Sequence, residues 1–484
     1  MRTLWRVLIV LGLVVVLLVG AVGLFAWHTV RASFPQVSGE VTTPGLTAPV
    51  TVVRDSLGIP QIYADGLEDL FFAQGYVHAQ DRFWEMDVRR HITSGRLSEM
   101  FGKSQVTTDS FLRTLGWRRI AEQELPLLSQ RSRVILDSYS KGVNAYLATH
   151  ADDRISLEYA VLGLQNPDYQ PEPWQPADSV AWLKALAWDL RGNMDDEVYR
   201  AVMSASVGVP ETEKLFPPYP FETNRPIVEG GAVVDGVFDQ DALASTSVQG
   251  ASAPAGARAA LAGVIATTRL LDTWLGRSGP GIGSNSWVVS GEHTSTGEPL
   301  LANDPHLAPM MPSLWYQTAM HCTNPDDACN YDVAGWSMAG LPGIFIGHNA
   351  RIAWGFTNLG PDVTDLVLQK VDGDSYLVDG APVAMSTRKE VIEVAGGDAV
   401  TITVRETVDG PLISDVADID TYTAVGADAP VPAPGSTIDA GATPERGSGY
   451  GVALRWTALT PRPTFDAFDL LNTASDWEDF RTAA

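Results

Sequence analysis

The sequence predicts an α+β fold built in layers, and three observations carry that reading. Apolar residues recur at helical spacing from Leu67 to Met203, short β-rich runs crowd the chain after Ser284, and the change coincides with the sequence GSNSW. Strict strand–helix alternation, which marks a parallel α/β sheet, does not occur. With 484 residues, 45% hydrophobic and 19% charged, the chain has enough apolar material for a large folded body, expected in more than one part.

The first segment is hydrocarbon-like. Val7 to Trp27 carries no charge, and about 21 residues rising 1.5 Å each cover roughly 30 Å, the thickness of a bilayer core. Arg2 and Arg6 precede the run, so the positive-inside rule places the tail in the cytoplasm and everything after about Ser33 outside, against a small opposing bias from Arg31. A cleaved signal peptide is the alternative, but its apolar region usually runs only about 7 to 15 residues and ends in an A-x-A-like site. Residues 1–32 are therefore read as a single-pass membrane anchor, and secretion stays as the alternative.

Residues 33–49 mix Pro, Gly and Thr without periodicity and read as a stalk, with order expected to begin near Val50. VTVVRDSLGIPQIYA alternates apolar and polar residues around a Gly-Ile-Pro turn and predicts strands at Val50–Arg54 and Pro60–Ala64. The next stretch, from Leu67 to Gly102, is helical by spacing, with breaks expected at Gly75 and Gly95. Helices continue through RVILDSYSKGVNAYLATH and SVAWLKALAWDLRGNMDDEVYRAVM, separated by the Pro-rich loop NPDYQPEPWQP. Residues 50–224 thus form a mostly helical region. Residues 225–283 are rich in Ala, Gly and Ser with few aromatics, which suits a linker or removable spacer. After Ser284 come SWVVS, PLLAN, LWYQTAMHC, GIFIGHN, RIAWGFTN, DLVLQKV and a Gly-Gly hairpin in EVIEVAGGDAVTITVRETV, so residues 284–484 are mostly strand.

A formal charge of −25 and a pI near 4.6 would repel a phosphate backbone, so nucleic acid is excluded as a partner. The two cysteines, Cys322 and Cys329, bracket a polar loop; in an exported chain they either staple it as a disulfide or remain free thiols. Two cysteines without spaced histidines cannot complete a zinc site.

Chemistry is suggested first by GIGSNSWVVSG. A backbone break before Ser284 would leave a serine with its own free α-amine. That amine titrates near pH 8, so part of it is neutral at neutral pH and accepts the hydroxyl proton, directly or through water. One residue then supplies nucleophile and base. A second serine, Ser337 in GWSMAG, approximates a nucleophile elbow, but that order needs an acid and then a histidine downstream. Only His348 follows, with no Asp or Glu between.

Two long stretches go further. GSNSWVVSGEHTSTGEPLLANDPHL and LPGIFIGHNARIAWGFTNLGPDVTDL resemble the start of the β-subunit of penicillin acylases and acylhomoserine-lactone acylases. GIPQIYADGLEDLFFAQGYVHAQDRFWEMDVRRHITSGRLSEMFG resembles the helical opening of their α-subunit, and the likeness covers nearly all of the chain after Val50. The resemblance implies an N-terminal-nucleophile hydrolase with a four-layer αββα sandwich, cut before Ser284 into an α/β heterodimer. By position, Ser284 matches the nucleophile, His306 the Gln or His that orients the amine and substrate, and Asn358 the residue whose backbone N–H binds the oxyanion. Glu197, Asp362, Thr364 (through its carbonyl) and Asp365 match calcium ligands, while Ala187, Leu190, Arg191 and Leu307 fall where the family lines its acyl site. From the residues alone, His306 and Asn303 read equally as turn residues and the acids as solvated surface. The family also continues past DWEDFRTAA to an Asn side chain that completes the oxyanion site, so the chain is expected to be truncated there. The expected activity is hydrolysis of a small, linear, non-peptide N-acyl amide, such as a β-lactam side chain or an N-acyl-homoserine lactone. The alternative is a membrane-tethered extracellular binding protein or a catalytically incomplete fragment.

Overall fold

A computed structural model of the chain describes residues 2–150, 155–217, 220, 222–224, 232–234, 237–239, 257–275, 283–307, 309–416 and 448–484. Helix α1, Arg2–Ala32, includes the apolar stretch Thr3–Ala32, which is long and apolar enough to cross a membrane. The predicted hairpin is present as β1, Thr51–Arg54, and β2, Pro60–Ala64, with Thr51 opposite Tyr63. Asp55 closes its turn by accepting the Leu57 and Ile59 N–H groups at 2.8 and 2.9 Å. The chain is tied down well before Val50, because the Gln36 carbonyl accepts the Gln80 Nε2–H at 3.0 Å and the Asp69 carboxylate accepts the Thr47 and Ala48 N–H groups at 2.8 and 2.9 Å.

Helix α2, Leu67–Ser94, departs from the expected breaks. It passes through Gly75 uninterrupted, kinks at Arg82 (φ −145°), and ends at Gly95, whose φ of 62° turns its N–H back to the carbonyls of His91 and Ile92. Helices α3 (Leu97–Phe101), α4 (Val106–Leu115) and α5 (Trp117–Glu124) follow. Asp109 on α4 caps α3 from outside, accepting the Leu97 and Ser98 N–H groups. Helix α6, Gln130–Leu147, then lies against α2 so closely that Gly75 touches its backbone. After the short helix Leu157–Leu162 and the Pro-rich loop, a Gln175–Asp178 capping box starts the helix Pro176–Asp189. The continuous helix expected beyond it is interrupted at residues 190–193, where Asn193 has φ 49°, and resumes as Met194–Val207.

Of residues 225–283 the structure describes a hairpin, β3 (Ala232–Val234) with β4 (Val237–Asp239), the helix Arg258–Thr268 with the turns to Leu275, and Gly283. The rest of the predicted linker lies outside the described residues. The described helix is packed firmly: Leu261, Val264 and Leu271 are buried with Trp188, Val452 and Leu454, and the Thr267 hydroxyl donates to the Val416 carbonyl at 3.1 Å. Aliphatic and small residues, without aromatics, suffice to pack this helix into a core that others furnish.

Strands dominate from Gly283 on: β5 (Gly283–Val289), β6 (Leu300–His306), β7 (Tyr316–Cys322), β8 (Asp332–Met338), β9 (Leu341–Asn349), β10 (Ala353–Trp354), β11 (Thr364–Asp372), β12 (Ser375–Val378), β13 (Ala381–Ala384), β14 (Ser386–Ile392), β15 (Val400–Thr407), β16 (Gly410–Pro411) and β17 (Ser448–Trp456). Six strands make one sheet in the order β1-β2-β7-β8-β9-β10, parallel only between β2 and β7. A second sheet runs β13-β12-β11-β17, a third β14-β15-β16, and β5 pairs with β6 as a separate ribbon. Helices α2 and α6 pack on the six-stranded sheet, whose strand β7 buries Tyr316, Thr318, Met320 and Cys322 and turns Gln317 outward. Both larger sheets meet the helices in one core, where the rings of Trp117, Trp188 and Trp456 stand 5.5 to 6.4 Å apart. Cys322 and Cys329 form the disulfide (S–S 1.98 Å), which settles the choice the sequence left open. The fold is α+β with helices first and sheets second, as predicted.

Candidate active site

The β5–β6 ribbon brings two of the predicted residues together. Antiparallel pairing sets Gly283 opposite His306, Ser284 opposite Pro305 and Ser286 opposite Asn303. Ser284 is half-buried, and the His306 imidazole stands beside Gly283 so closely that a β-carbon on that glycine would lie 3.4 Å from Nε2. Its Nδ1 is 3.0 Å from the Asp304 carbonyl oxygen. The imidazole therefore flanks the residue whose carbonyl is bonded to the Ser284 nitrogen.

Asn303 makes no Asx turn; it clamps the site. Its Nδ2 donates to the Asn285 and Phe356 carbonyls at 3.1 and 2.9 Å, and its Oδ1 accepts the Phe356 N–H at 3.1 Å. Both strands of the ribbon are thus fastened to the WGFTN segment. A β-carbon on Gly355 would fall 2.7 Å from Asn303, so the approach requires glycine. Asn358, two residues beyond Phe356, is exposed; its Nδ2 donates to the Leu190 carbonyl at 2.7 Å and its Oδ1 accepts the Gly360 N–H at 3.1 Å. The side chain braces the segment against the end of helix Pro176–Asp189.

The same segment leads into an acidic cluster. One carboxylate oxygen each from Glu197, Asp362 and Asp365 lie within 4.8 Å of one another. The break at Asn193 supports this convergence: its Nδ2 donates to Glu197 at 2.9 Å and to Asp362 at 2.7 Å, while Glu197 also accepts the Leu366 N–H at 3.2 Å. Thr364 is buried at the start of β11, its hydroxyl 3.3 Å from the Asn193 Oδ1. Burial pushes the Glu197 carboxyl up to about 7; the Asp362 and Asp365 charges add to that rise and the Leu366 N–H opposes it. Hard oxygen donors carrying unbalanced negative charge fit a divalent cation such as calcium.

The predicted acyl-site residues are not all gathered. Leu307 lines an apolar cleft with Trp182, Leu186, Trp274, Met310 and Leu314, whereas Arg191 stacks on Trp188 at 4.1 Å in a separate polar cleft with Tyr199 and Arg269. Asp189 and Leu275 line both clefts, Leu190 serves through its carbonyl, and Ala187 is exposed.

A family model described as penicillin amidase matches residues 49–484. The chain belongs to the penicillin amidase family. It is 32% identical to an acyl-homoserine lactone acylase, QuiP, of Pseudomonas aeruginosa over 403 residues, 82% of this chain and 44% of that protein. It is 31% identical to the penicillin acylase 2 proenzyme of a Pseudomonas species over 398 residues, 80% of this chain and 46% of the relative. The chain thus spans about half the length of the curated relatives it matches. A thermostable penicillin G acylase structure from Alcaligenes faecalis superposes on 41% of this chain at 22% identity and a TM-score of 0.30, covering 30% of that structure.

For this member of the penicillin amidase family, Ser337 is structural. It is buried in β8, its Oγ donates to the Tyr316 carbonyl at 2.9 Å, and it lies 3.1 Å from His78 Nε2. His78 Nδ1 is 2.8 Å from the Tyr139 hydroxyl, which accepts the Gly340 N–H at 2.9 Å. These partners assign one tautomer: Nε2–H donates to Ser337 and Nδ1 accepts from Tyr139, so every group is satisfied with a neutral ring. No spacing in the sequence pairs His78 with Ser337, because α2 and β8 meet only in the fold. Burial, assisted by the Arg82 charge, pulls the His78 pKa down from 6.5 to about 3. The unfolded chain therefore binds the extra proton first. Stability from this group is complete above pH 6.5 and is expected to fall by about 1.4 kcal/mol per unit between pH 6 and 4. Denaturant midpoints across that range, compared with those of a His78→Gln variant of shallower slope, check it.

Proposed function

We propose that this chain carries the nucleophile-bearing part of an extracytoplasmic amidohydrolase that cleaves linear N-acyl amides. The observation that carries the reading is the ribbon register, which puts His306 beside Gly283 and ties Ser284, through Asn303, to the strand end that leads to Asn358. Family membership supports the same class, and relatives named as acyl-homoserine lactone acylase and penicillin acylase support N-acyl compounds as the substrates.

Self-cleavage begins with Ser284 Oγ adding to the Gly283 carbonyl; the C–N bond breaks to leave an ester, and water hydrolyses it to a Gly283 carboxylate and a free Ser284 amine. In turnover that amine takes the Oγ proton as Oγ adds to the substrate carbonyl. The Asn358 backbone N–H faces the developing oxyanion, a contact typically worth about 3 kcal/mol. Collapse of the adduct transfers the proton to the leaving amine and leaves acyl-Ser284, which water then hydrolyses to the acid. His306 holds the new amine in place. The α/β heterodimer so formed stays joined by its shared core, and α1 tethers it to the membrane. N-terminal sequencing of the mature protein tests the proposal: a chain starting Ser-Asn-Ser-Trp is expected, and an uncut chain overturns it in favour of a tethered binding domain.

Glu197, Asp362 and Asp365, with the Thr364 carbonyl, would hold calcium, which supplies positive charge that cross-links helix Met194–Val207 to the start of β11. Calcium added to chelator-treated protein is expected to raise Tm, corresponding to about 2.7 kcal/mol at a hundredfold excess over Kd. Glu197→Gln should abolish that shift. An equal shift in the variant would remove the site.

A further inference from the structure

Beside the end of α1, the helix Leu157–Leu162 has two apolar faces. Ile155, Tyr159 and Leu162 are buried, with the Tyr159 ring against Phe83 and Trp84. Leu157 and Val161, at i and i+4, and Leu164 in the turn that follows the helix are 38%, 58% and 84% exposed. Such an aliphatic row on a chain of net charge −25 needs a cover.

The position of α1 identifies the cover. Among its described side chains, partial burial is confined to the last turn, at Thr29 and Ala32, and helix Leu157–Leu162 is the described element it meets most closely. Trp27, where the uncharged run ends, is 65% exposed. Five residues separate Trp27 from Ala32, about 8 Å along the helix. That distance matches the interfacial layer of about 5 to 8 Å on each side of a hydrocarbon core. The stalk does not lift the body away, because the Gln36 carbonyl, only four residues beyond α1, already accepts the Gln80 Nε2–H at 3.0 Å. The apolar phase within reach of the row is the bilayer itself.

We propose that helix Leu157–Leu162 is an interfacial membrane contact, with Leu157, Val161 and Leu164 seated at the headgroup–acyl boundary, so that the body rests on the membrane. The inference rests on the reading of α1 as a bilayer span. Because the row is aliphatic and Glu158 is exposed beside it, the contact is with an uncharged or zwitterionic interface and is insensitive to salt.

Both native cysteines are consumed by the disulfide, so single added cysteines can be labelled cleanly. The full chain is reconstituted in phosphatidylcholine vesicles with a spin label at Val161→Cys or Leu164→Cys, and collision with oxygen is compared with collision with a water-soluble nickel chelate. Oxygen is expected to dominate at 161 and 164, as at a Val16→Cys label inside α1, while Val408→Cys, 79% exposed on the turn between β15 and β16, reports water. Adding Leu164→Glu should return the 161 label to water without releasing the chain. Lipid contact at residue 16 with water at 161 and 164 overturns the docking and leaves the anchor standing. Water at residue 16 overturns the anchor and the docking together.

Discussion

Replacing Ser284 by alanine is expected to leave one uncut chain and to remove turnover, by a factor on the order of 10⁶ if the loss resembles that of other serine nucleophiles. The two effects share one atom. Without Oγ nothing adds to the Gly283 carbonyl, so the α-amine that would serve as base is never freed. Ser284→Cys separates them, because a thiol still attacks its own backbone and should be processed while turning over poorly. Ser337→Ala is the matched control: it loses contacts to Tyr316 and His78 and should cost about 1 to 3 kcal/mol of stability, with cleavage intact. Intact mass and amine release from an N-acyl substrate read all three. A processed Ser284→Ala chain, or an unprocessed but folded Ser337→Ala chain, would exchange the roles of the two serines.

The juxtaposition of Ser284 with His306 was legible where motif and strand register coincide. Ser284 follows a Gly-rich run at the head of a strand, and the next strand ends at His306, so a hairpin alone juxtaposes them. Asn303 was not legible, since an Asn before Asp-Pro reads as a turn and its true partners are Asn285 and Phe356, the latter 53 residues away. The acidic cluster lay between these cases. Three acids in an acidic chain carry little information, and their convergence depends on a break in the helix at Asn193 that no proline announces. Leu307 and Arg191 line different clefts and Ala187 is exposed, because a matched position transfers a place in the chain, whereas the direction of each side chain is decided by the local helix turn and cleft.

For the fold, order and type of element followed from periodicity, and one misreading arose at a glycine. Gly95 does end a helix, because its φ of 62° favours a residue without a β-carbon. Gly75 was read by the same rule, yet it sits in unbroken helix, where an ordinary Gly→Ala change adds up to about 1 kcal/mol of stability. The difference lies across the interface. A β-carbon at Gly75 would stand 2.1 Å from the Tyr139 carbonyl oxygen of α6, and one at Gly142 would stand 1.8 Å from the Phe72 carbonyl oxygen of α2. Each helix thus presents a glycine to the other's backbone, and neither obstacle is a side chain that can rotate away. Gly142→Ala is therefore expected to invert the usual sign and to destabilise by about 1 to 3 kcal/mol or more, as overpacking does, because α2 and α6 must separate. Separation would also displace His78 and Tyr139, which lie on these helices and share a hydrogen bond. Thermal unfolding of Gly75→Ala, Gly142→Ala and the half-buried helical control Gly263→Ala, whose added carbon meets nothing within 4 Å, decides the matter. Equal or higher Tm in the first two would mean that α2 and α6 cross less closely than their mutual glycines require.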